Sequence, residues 1–366
     1  MIDLRNNLSV LAQYVSKYYS ANYPEGHSPK EISLVDHKID YTPWLNTTVV
    51  LPQWLHSFSY DNNEQILRDR AIGALSGLAI ADAVGTTLEF SARDERTIDD
   101  MVGGGPFNLK PGEWTDDTTM ALCLAETYLS KKSLDLTDFR NRMVNWYHFG
   151  VNSVHGRYFD TGNATRYALD EYLKFGSEWF GNTGVDSAGN AAIIRLSPCA
   201  IFNRYSLLNT LFDAEQQSKA THGAVESLDC SRLLGLILYN LLNGADKYQA
   251  LSAHILPLNA RTALINAGEY KNKTRDEIRS SGYVIDTLEA ALWAVWHTDN
   301  FRDAILLAAN LGDDADSVAA TTGQIAGALY GYSGIPVEWK EKLAEGERIV
   351  EMGKLLFKFS PCGYAQ

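Results

Sequence analysis

The sequence predicts an all-α fold, a globular helical bundle with an N-terminal extension. Small and apolar residues recur at spacings of three and four in several long segments, which is typical of packed helices. No alternating strand pattern of convincing length accompanies them. Residues 1–62 differ in composition from the rest of the chain, because they are rich in Tyr, Trp and Pro. We therefore divide the chain into an extension, residues 1–62, and a helical domain, residues 63–366.

The composition of the 366 residues, 45% hydrophobic and 21% charged, is that of an ordinary globular chain. The formal net charge of −13 works against binding to a phosphate backbone, so we expect no nucleic-acid partner. We also expect no membrane span, because no apolar run approaches the roughly 18 residues that a span needs. We expect no secretory signal, because the first residues of the chain are polar and acidic. The four cysteines form no C-x-x-C pair, which favours reduced thiols and a cytoplasmic location.

The extension is predicted to form one helix over residues 9–19 and irregular, extended chain after it, where prolines are frequent. Two roles are open for it. It could be a strap that packs onto the main domain. It could instead be an arm that offers aromatic side chains to a partner protein, since such residues are enriched where partners bind most strongly.

The helices of the main domain are predicted from their apolar spacing and their start signals. The first is rich in Ala and Gly, which suits close helix packing, and is followed by two acids, Asp82 and Glu89, that suggest a nearby positive charge. The last is a buried helix from about Asp316 to Tyr330, with no charged residue after Asp316. We expect the other helices to pack around it. The predicted ranges are 64–80, 120–129, 136–149, 161–175, 221–242, a helix opened by residues 281–287, and 316–330.

Two of these helix starts carry the same combination of hydroxyl and carboxylate groups. The members are Thr115, Asp116 and Asp117 at one start, and Asp314, Asp316 and Ser317 at the other. One acid at such a place is a helix cap, but crowded acids repel one another unless a cation lies between them. Two clusters with the same chemistry predict one divided metal site.

The donor set of that site is made of oxygen atoms, without Cys or His at ligand spacing. Such a set favours a hard cation, Mg²⁺ or Mn²⁺, over zinc. Together with Glu89, the clusters supply a negative charge that suits two divalent ions better than one. Two ions about 3.5–4 Å apart can orient a substrate diol and activate a water. Asp313 adds a further charge to which the sequence assigns no role.

The order of the motifs resembles the ADP-ribosylglycohydrolase family, which includes dinitrogenase-reductase-activating hydrolases and ADP-ribosylarginine hydrolases. The resemblance spans residues 64–331 and rests on D-A-V-G-T-T-L-E-F, W-T-D-D-T, F-D-T-G, G-N-A-A-I-I-R, T-H, G-Y-V-I-D-T-L and G-D-D-A-D-S. It implies an all-α fold, a centre of two Mg²⁺ ions and removal of ADP-ribose from an ADP-ribosylated protein substrate.

The resemblance also implies roles for individual residues. The implied metal ligands are Thr115, Asp116, Asp117, Asp314, Asp316 and Ser317, the last standing where the family usually has threonine. The implied catalytic groups are Glu89, Asp117, Asp160 and Asp314. The implied substrate-binding residues are Phe159, Gly162, Gly189, Asn190, His222 and Tyr283. Asp313 and Ala191 stand where the family commonly has glycine.

Some of these roles compete with simpler ones. We expect Gly189 and Asn190 to present backbone N–H groups to the diphosphate of the substrate. For Phe159 and Tyr283 plain core packing is the alternative to a contact with the adenine or ribose. For His222 the alternative is a structural role at a helix start.

Three functions follow as hypotheses. The first is hydrolysis of ADP-ribosylarginine in proteins, through an oxocarbenium-like transition state at ribose C1, to counter an ADP-ribosyltransferase toxin. The second is a binding protein that neutralises such a transferase by occluding its active site with the N-terminal arm. The third is a hydrolase of another small glycosyl substrate.

Overall fold

The structure, a computed structural model, describes residues 32–34, 37–39, 63–176, 181–254 and 256–361. Two short strands, Ile32–Leu34 (β1) and His37–Ile39 (β2), pair in antiparallel register with Ser33 opposite Lys38. The helix predicted over residues 9–19 and the remainder of the extension lie outside the described residues. From residue 63 onward the described chain is helical, which confirms the predicted all-α class.

The α-helices in chain order are α1 Glu64–Gly85, α2 Asp116–Lys131, α3 Leu136–Phe149, α4 Asn163–Phe175, α5 Ala191–Ile194, α6 Ser197–Phe202, α7 Leu207–Lys219, α8 Val225–Leu242, α9 Lys247–Ala250, α10 Ala260–Ala267, α11 Val284–Trp296, α12 Phe301–Ala309, α13 Ala315–Tyr330, α14 Val337–Lys342 and α15 Gly346–Phe359. Short 3₁₀ turns cover Thr86–Leu88, Val185–Ser187, Glu269–Asn272, Arg275–Glu277 and Tyr332–Gly334.

Helices α1 and α13 form the centre of the bundle, with α8, α11, α12 and α15 packed around them. Their backbones touch through glycines spaced four residues apart on each helix. A Cβ placed on Gly323 would lie 2.2 Å from the carbonyl oxygen of Gly77, and one on Gly327 would lie 2.0 Å from that of Gly73. Only residues without a Cβ allow two helices to approach this closely. The predicted central role of the last buried helix therefore holds in the structure.

The same contact continues to the functional end of the pair. The two helices run antiparallel, so the last turn of α1 meets the first turn of α13. A Cβ on Gly85 would lie 2.5 Å from the carbonyl oxygen of Ala315 and 2.6 Å from Cα of Asp316. This close approach fixes Asp316 beside the end of α1, where Asp82 lies.

The expectation that no apolar run reaches membrane-spanning length was wrong. One described segment, Glu64–Leu88, is long and apolar enough to cross a membrane, judged by length and composition only. Its mean hydropathy is 1.5 over its most apolar window. That window is entirely buried inside the fold. Burial on all sides by neighbouring helices accounts for its composition without a membrane.

One helix start differs from its prediction for a tertiary reason. The helix expected to open at Thr221 begins instead at Val225. His222 forms a parallel bridge with Asn182, and the N–H of Gly223 donates to the carbonyl of Asn182 at 2.9 Å. These bonds keep residues 222 and 223 from adopting a helical conformation, so the helix begins only after the bridge.

Candidate active site

A cavity of about 430 Å³ opens where the starts of α2 and α13 meet. Its acidic wall comes from four separate segments: the turn after α1, the start of α2, the loop before α4 and the start of α13. The acids that line it are Glu89, Asp116, Asp117, Asp160, Asp313, Asp314 and Asp316. The two hydroxyl–carboxylate clusters thus do meet, as predicted for a divided site.

Asp82 positions the first cluster, a role that the sequence pattern does not predict. It is fully buried in the last turn of α1 and accepts hydrogen bonds from the start of α2. The backbone N–H and the hydroxyl of Thr115 donate to Asp82 Oδ1 at 3.0 and 2.9 Å. The N–H and hydroxyl of Thr118 donate to Asp82 Oδ2 at 3.0 and 2.6 Å. Asp82 therefore caps α2 from a neighbouring helix, because Thr115, the N-cap residue, makes no side-chain capping bond itself.

The carboxylates are close enough to share a cation. One oxygen from each of Glu89, Asp160 and Asp316 lies within 4.8 Å of the others. The hydroxyl oxygen of Thr115 lies 3.3 Å from Asp316 Oδ2, which joins the two sequence clusters directly. Glu89 and Asp160, predicted as catalytic groups, thus stand among the predicted ligands.

Burial raises the pKa of six carboxyl groups of the cavity, and for all of them but Asp160 a neighbouring carboxylate raises it further: Glu89, Asp116, Asp117, Asp160, Asp314 and Asp316. Burial, together with the charges of Asp316 and Asp160, raises the pKa of Glu89. Burial also raises the pKa values of Asp116 and Asp117 well above the usual range, and the charges of Asp160 and Asp316, respectively, raise them further. Without a cation, the ionised forms of these groups are disfavoured by burial and by one another.

The residues present fit a bound divalent cation. No Lys or Arg side chain lines the cavity in the part of the chain that the structure describes. Two carboxylate oxygens, Glu89 Oε2 and Asp117 Oδ2, are buried without a hydrogen-bond partner. Buried, unpartnered carboxylate oxygens are costly, and a hard cation removes that cost.

Asp314 and Ser317 belong to the second cluster, at the start of α13. Asn190 Nδ2 donates to Asp314 Oδ2 at 2.7 Å and to Thr287 Oγ1 at 2.9 Å. Burial raises the pKa of Asp314, while its hydrogen bonds from Asn190 and Ser317 act in the opposite direction. The amide side chain of Asn190 thus holds an acid of the site rather than standing free for substrate.

The backbone role predicted for Gly189 and Asn190 is not met in this structure. The N–H of Gly189 donates to the carbonyl of Ser187 at 2.8 Å, and the N–H of Asn190 donates to that of Gly282 at 3.2 Å. Both amides are therefore occupied and cannot serve as the expected diphosphate donors. The residues do line the cavity.

Asp313 has a backbone role. Its φ of +59° is the left-handed conformation, which glycine adopts more readily than other residues do. Its carbonyl accepts from the N–H of Phe90 at 2.7 Å, and its N–H donates to the carbonyl of Ser91 at 2.8 Å. These bonds hold the start of α13 against the segment that carries Glu89.

The other predicted substrate residues fall into two groups. Gly162 and His222 line the cavity. Phe159 and Tyr283 do not: Phe159 packs on Phe107 with ring centroids 5.4 Å apart, and the hydroxyl of Tyr283 donates to Glu226. Contact of these two with a substrate remains a prediction.

Comparison with known proteins places these features in a family. The model of the ADP-ribosylglycohydrolase family matches residues 63–362. A solved structure described as an ADP-ribosylglycohydrolase-related protein complex superimposes with a TM-score of 0.72 at 34% identity, over 81% of this chain and all of that one.

Curated relatives agree with this assignment. The chain is 56% identical to an ADP-ribosylarginine hydrolase Tri1 of Serratia proteamaculans, over 99% of each chain. It is 52% identical to a protein of the same name from Pseudomonas putida, over 99% of this chain and 96% of that one. It is 32% identical to the ADP-ribosyl-[dinitrogen reductase] glycohydrolase of Rhodospirillum rubrum, over 76% of this chain and 91% of the relative. The resemblance stated from the motifs is confirmed, and the chain belongs to the ADP-ribosylglycohydrolase family.

Proposed function

We propose that this protein is an Mg²⁺-dependent hydrolase that removes ADP-ribose from ADP-ribosylarginine in proteins. The observation that carries the proposal is the cavity in which carboxylates from four segments converge without a cationic side chain among the described lining residues. Two relatives that align over 99% of this chain are named ADP-ribosylarginine hydrolases, which supports arginine as the modified residue.

The residues that would hold two Mg²⁺ ions are the oxygen donors of the two helix starts, Thr115, Asp116, Asp117, Asp314, Asp316 and Ser317. Mn²⁺ would be accepted by the same donors. When bound, the ions supply positive charge that offsets the carboxylates and binds the hydroxyl oxygens of a ribose. The proximity of Glu89 and Asp160 to Asp316 supports their membership of the same centre.

The chain's own groups account for orientation and proton transfer. Asp160 lies on the loop before α4, half-buried at the cavity wall, where a carboxylate can take a proton from an attacking water. Glu89 lies across from it, with one buried oxygen that has no protein partner. The cleaved bond joins ribose C1 to a guanidinium nitrogen, and the leaving guanidine takes up a proton as the water loses one.

The test is release of ADP-ribose from an arginine-ADP-ribosylated protein, measured by chromatography. We expect release with Mg²⁺, none after EDTA treatment, and recovery when Mg²⁺ is restored. A serine-ADP-ribosylated protein serves as the comparison substrate and should be cleaved far more slowly. Equal rates with and without divalent cation, or no release from the arginine conjugate, would overturn the proposal.

A second proposal concerns an ADP-ribosyltransferase toxin as partner. The family match begins at residue 63, yet the two hydrolases of Serratia and Pseudomonas align over 99% of this chain. The extension is thus shared with those relatives, which supports a role for residues 1–62 beyond the hydrolase domain. We propose that the protein confers immunity in the cytoplasm, by hydrolysis and by occlusion of the transferase through this arm.

The two modes of immunity are separated by full-length Asp316→Asn, which should lose hydrolysis but keep the arm. If that variant still binds the transferase and slows its modification of a target protein, the arm acts by occlusion. If the variant neither binds nor protects, immunity rests on hydrolysis alone.

A further inference from the structure

Arg195 is a buried charge without an obvious counter-ion. Its side chain is fully buried, and the residue before it, Ile194, lines the cavity. Nε donates to Gln217 Oε1 and Nη2 to the Gln217 carbonyl, both at 2.9 Å, and Nη1 faces Met120 Sδ at 3.4 Å. Within the described ranges no carboxylate contacts it, although the charge of Asp116 acts on it at longer range. A buried, unpaired guanidinium is expensive, so its position calls for a function.

The remaining contact of Arg195 leads to the cavity. Nη2 also donates to Thr221 Oγ1 at 2.9 Å, and Thr221 Oγ1 lies 2.9 Å from His222 Nδ1. An arginine only donates, so the threonine oxygen accepts from it. The single hydroxyl hydrogen of Thr221 then has one described acceptor within reach, His222 Nδ1. The opposite assignment, with Nδ1 donating, would leave that buried hydrogen without an acceptor.

His222 therefore carries its proton on Nε2. This atom has no hydrogen-bond partner among the described residues, and it faces Gly189, another residue of the cavity wall. A Cβ on Gly189 would lie 2.8 Å from Nε2. Burial, and then the charge of Arg195, lower the pKa of His222 to about 3, so the ring is neutral.

We propose that Arg195 and Thr221 form a positioning relay that fixes His222 as a neutral donor, with Nε2–H offered to an oxygen atom of the bound ADP-ribose group. The inference rests on the proposed function for the identity of that ligand. Arg195 and Thr221 touch neither substrate nor cation in this account. They act only through the imidazole.

A neutral donor suits this cavity better than a charged one. An imidazolium would pair with the carboxylates or repel the divalent cations that the cavity is built to hold. A neutral N–H can bind a phosphate or ribose oxygen without either effect. It also supplies a donor on the wall where the amides of Gly189 and Asn190 are already occupied.

The first test reads the tautomer directly. In the metal-free, full-length protein labelled with ¹⁵N-histidine, we expect the His222 signal at pH 7 to show a protonated Nε2 and an unprotonated Nδ1. The signal is assigned by its loss in His222→Asn, which separates it from the other seven of the eight histidines. A protonated Nδ1 in the wild type overturns the proposal, whether or not any variant folds.

The second test uses a matched pair of variants at Thr221. Thr221→Ser keeps the hydroxyl and Thr221→Val removes it at nearly the same volume. Calorimetric titration with ADP-ribose in the presence of Mg²⁺ should give wild-type affinity for Thr221→Ser and a Kd weaker by roughly 5- to 10-fold for Thr221→Val, the effect of one hydrogen bond. Gly189→Ala, whose methyl meets Nε2, should weaken binding similarly.

The outcomes of this test and of the proposed function are separable. Equal ADP-ribose affinity of Thr221→Val and wild type, with unchanged tautomer signals, overturns the relay. The wild-type protein could instead show the expected tautomer and affinities but release no ADP-ribose from arginine. That result would support the relay and overturn the proposed reaction.

Discussion

Asp82 Oδ1 accepts two hydrogen bonds from Thr115, from its backbone N–H at 3.0 Å and from its hydroxyl at 2.9 Å. The acid sits on α1 and the threonine caps α2, so this contact ties the first cluster to the central helix. The glycine contact ties the second cluster to the same helix, since Gly85 meets Asp316. Both halves of the site are therefore positioned from one element, α1.

The first prediction follows from this tie. Asp82→Asn keeps the shape but replaces one acceptor oxygen by a donor, so the contacts of that oxygen, with Thr115 or with Thr118, are lost. We expect activity to fall by roughly 10- to 100-fold at limiting Mg²⁺, as for other groups that orient metal ligands, with partial recovery at high Mg²⁺. Stability should fall by about 1–3 kcal/mol. Titration of activity with Mg²⁺ checks this, and an unchanged Mg²⁺ requirement would refute it.

The second prediction concerns charge crowding. Asp316→Asn should abolish detectable ADP-ribose release and yet raise the melting temperature of the metal-free protein by a few degrees, because it removes one of several repelling carboxylates. Asp170→Asn, on the exposed face of α4, is the matched control and should change neither quantity. A metal-free Asp316→Asn protein less stable than wild type would show that the carboxylate contributes more through its contacts than it costs through repulsion.

The third prediction is a pH dependence of the metal effect. The folded pKa of Asp82 is about 6 against an ordinary 3.8, and the pKa values of Asp116, Asp117 and Asp316 are raised well above that ordinary value. A carboxyl group whose pKa is raised on folding does not change the free energy of unfolding well below about pH 4, where the group is protonated in both the folded and the unfolded state. It lowers that free energy as the pH rises through the folded pKa.

Without divalent ions, the contribution of this cluster to stability should therefore decline from about pH 4 upward. Mg²⁺ removes that penalty, so the rise in melting temperature on adding Mg²⁺ should be larger at pH 8 than at pH 5. Calorimetric scans with EDTA or Mg²⁺ at each pH measure the difference. A rise that is independent of pH would contradict the expectation.

The fourth prediction tests the contact between the central helices. Gly323→Ala would place a methyl 2.2 Å from the carbonyl of Gly77 and should destabilise the fold by roughly 1–3 kcal/mol or more. Activity should fall too, because the start of α13 carries Asp316. Gly346→Ala is the control, since the nearest atom to its Cβ would be 3.5 Å away. Equal denaturant midpoints for the two variants would argue against the close packing.

The fifth prediction concerns Asp313. Its φ of +59° predicts that Asp313→Gly is at least as stable as wild type and keeps activity. Asp313→Val should lose roughly 1–2 kcal/mol, since a β-branched side chain is strained in the left-handed region. Urea denaturation of the two variants decides, and a Val variant as stable as the Gly variant would count against this role.

Local signals explain which helices the sequence locates well. The helix over residues 136–149 is predictable at both ends, because Asp135 caps its start and Gly150, at φ +69°, ends it. The start at Val225 is not, because the bridge between His222 and Asn182 depends on a segment well upstream in the chain. Local patterns carry no information about such a pairing.

The residues of the candidate site likewise differ in whether local sequence or tertiary structure reveals them. The clusters at Asp116 and Asp314 are recognisable because hydroxyl and acid groups stand side by side in the sequence. Asp82 is recognisable as an acid that needs a positive partner, but that partner is the N–H end of α2, which only the tertiary structure brings to it. Arg195 ends one of the quoted motifs, but the sequence gives no signal of its burial or of its contact with Thr221, since these depend on the tertiary structure.

The central claim, that the acidic cavity is a divalent-cation centre, is tested most directly by anomalous diffraction from crystals soaked in Mn²⁺ and ADP-ribose. We predict two peaks about 3.5–4 Å apart, bound by oxygens of the starts of α2 and α13, with ribose hydroxyls beside them. Crystals of active protein with no peak among Asp116, Asp314 and Asp316, or with ADP-ribose bound outside this cavity, would contradict the account.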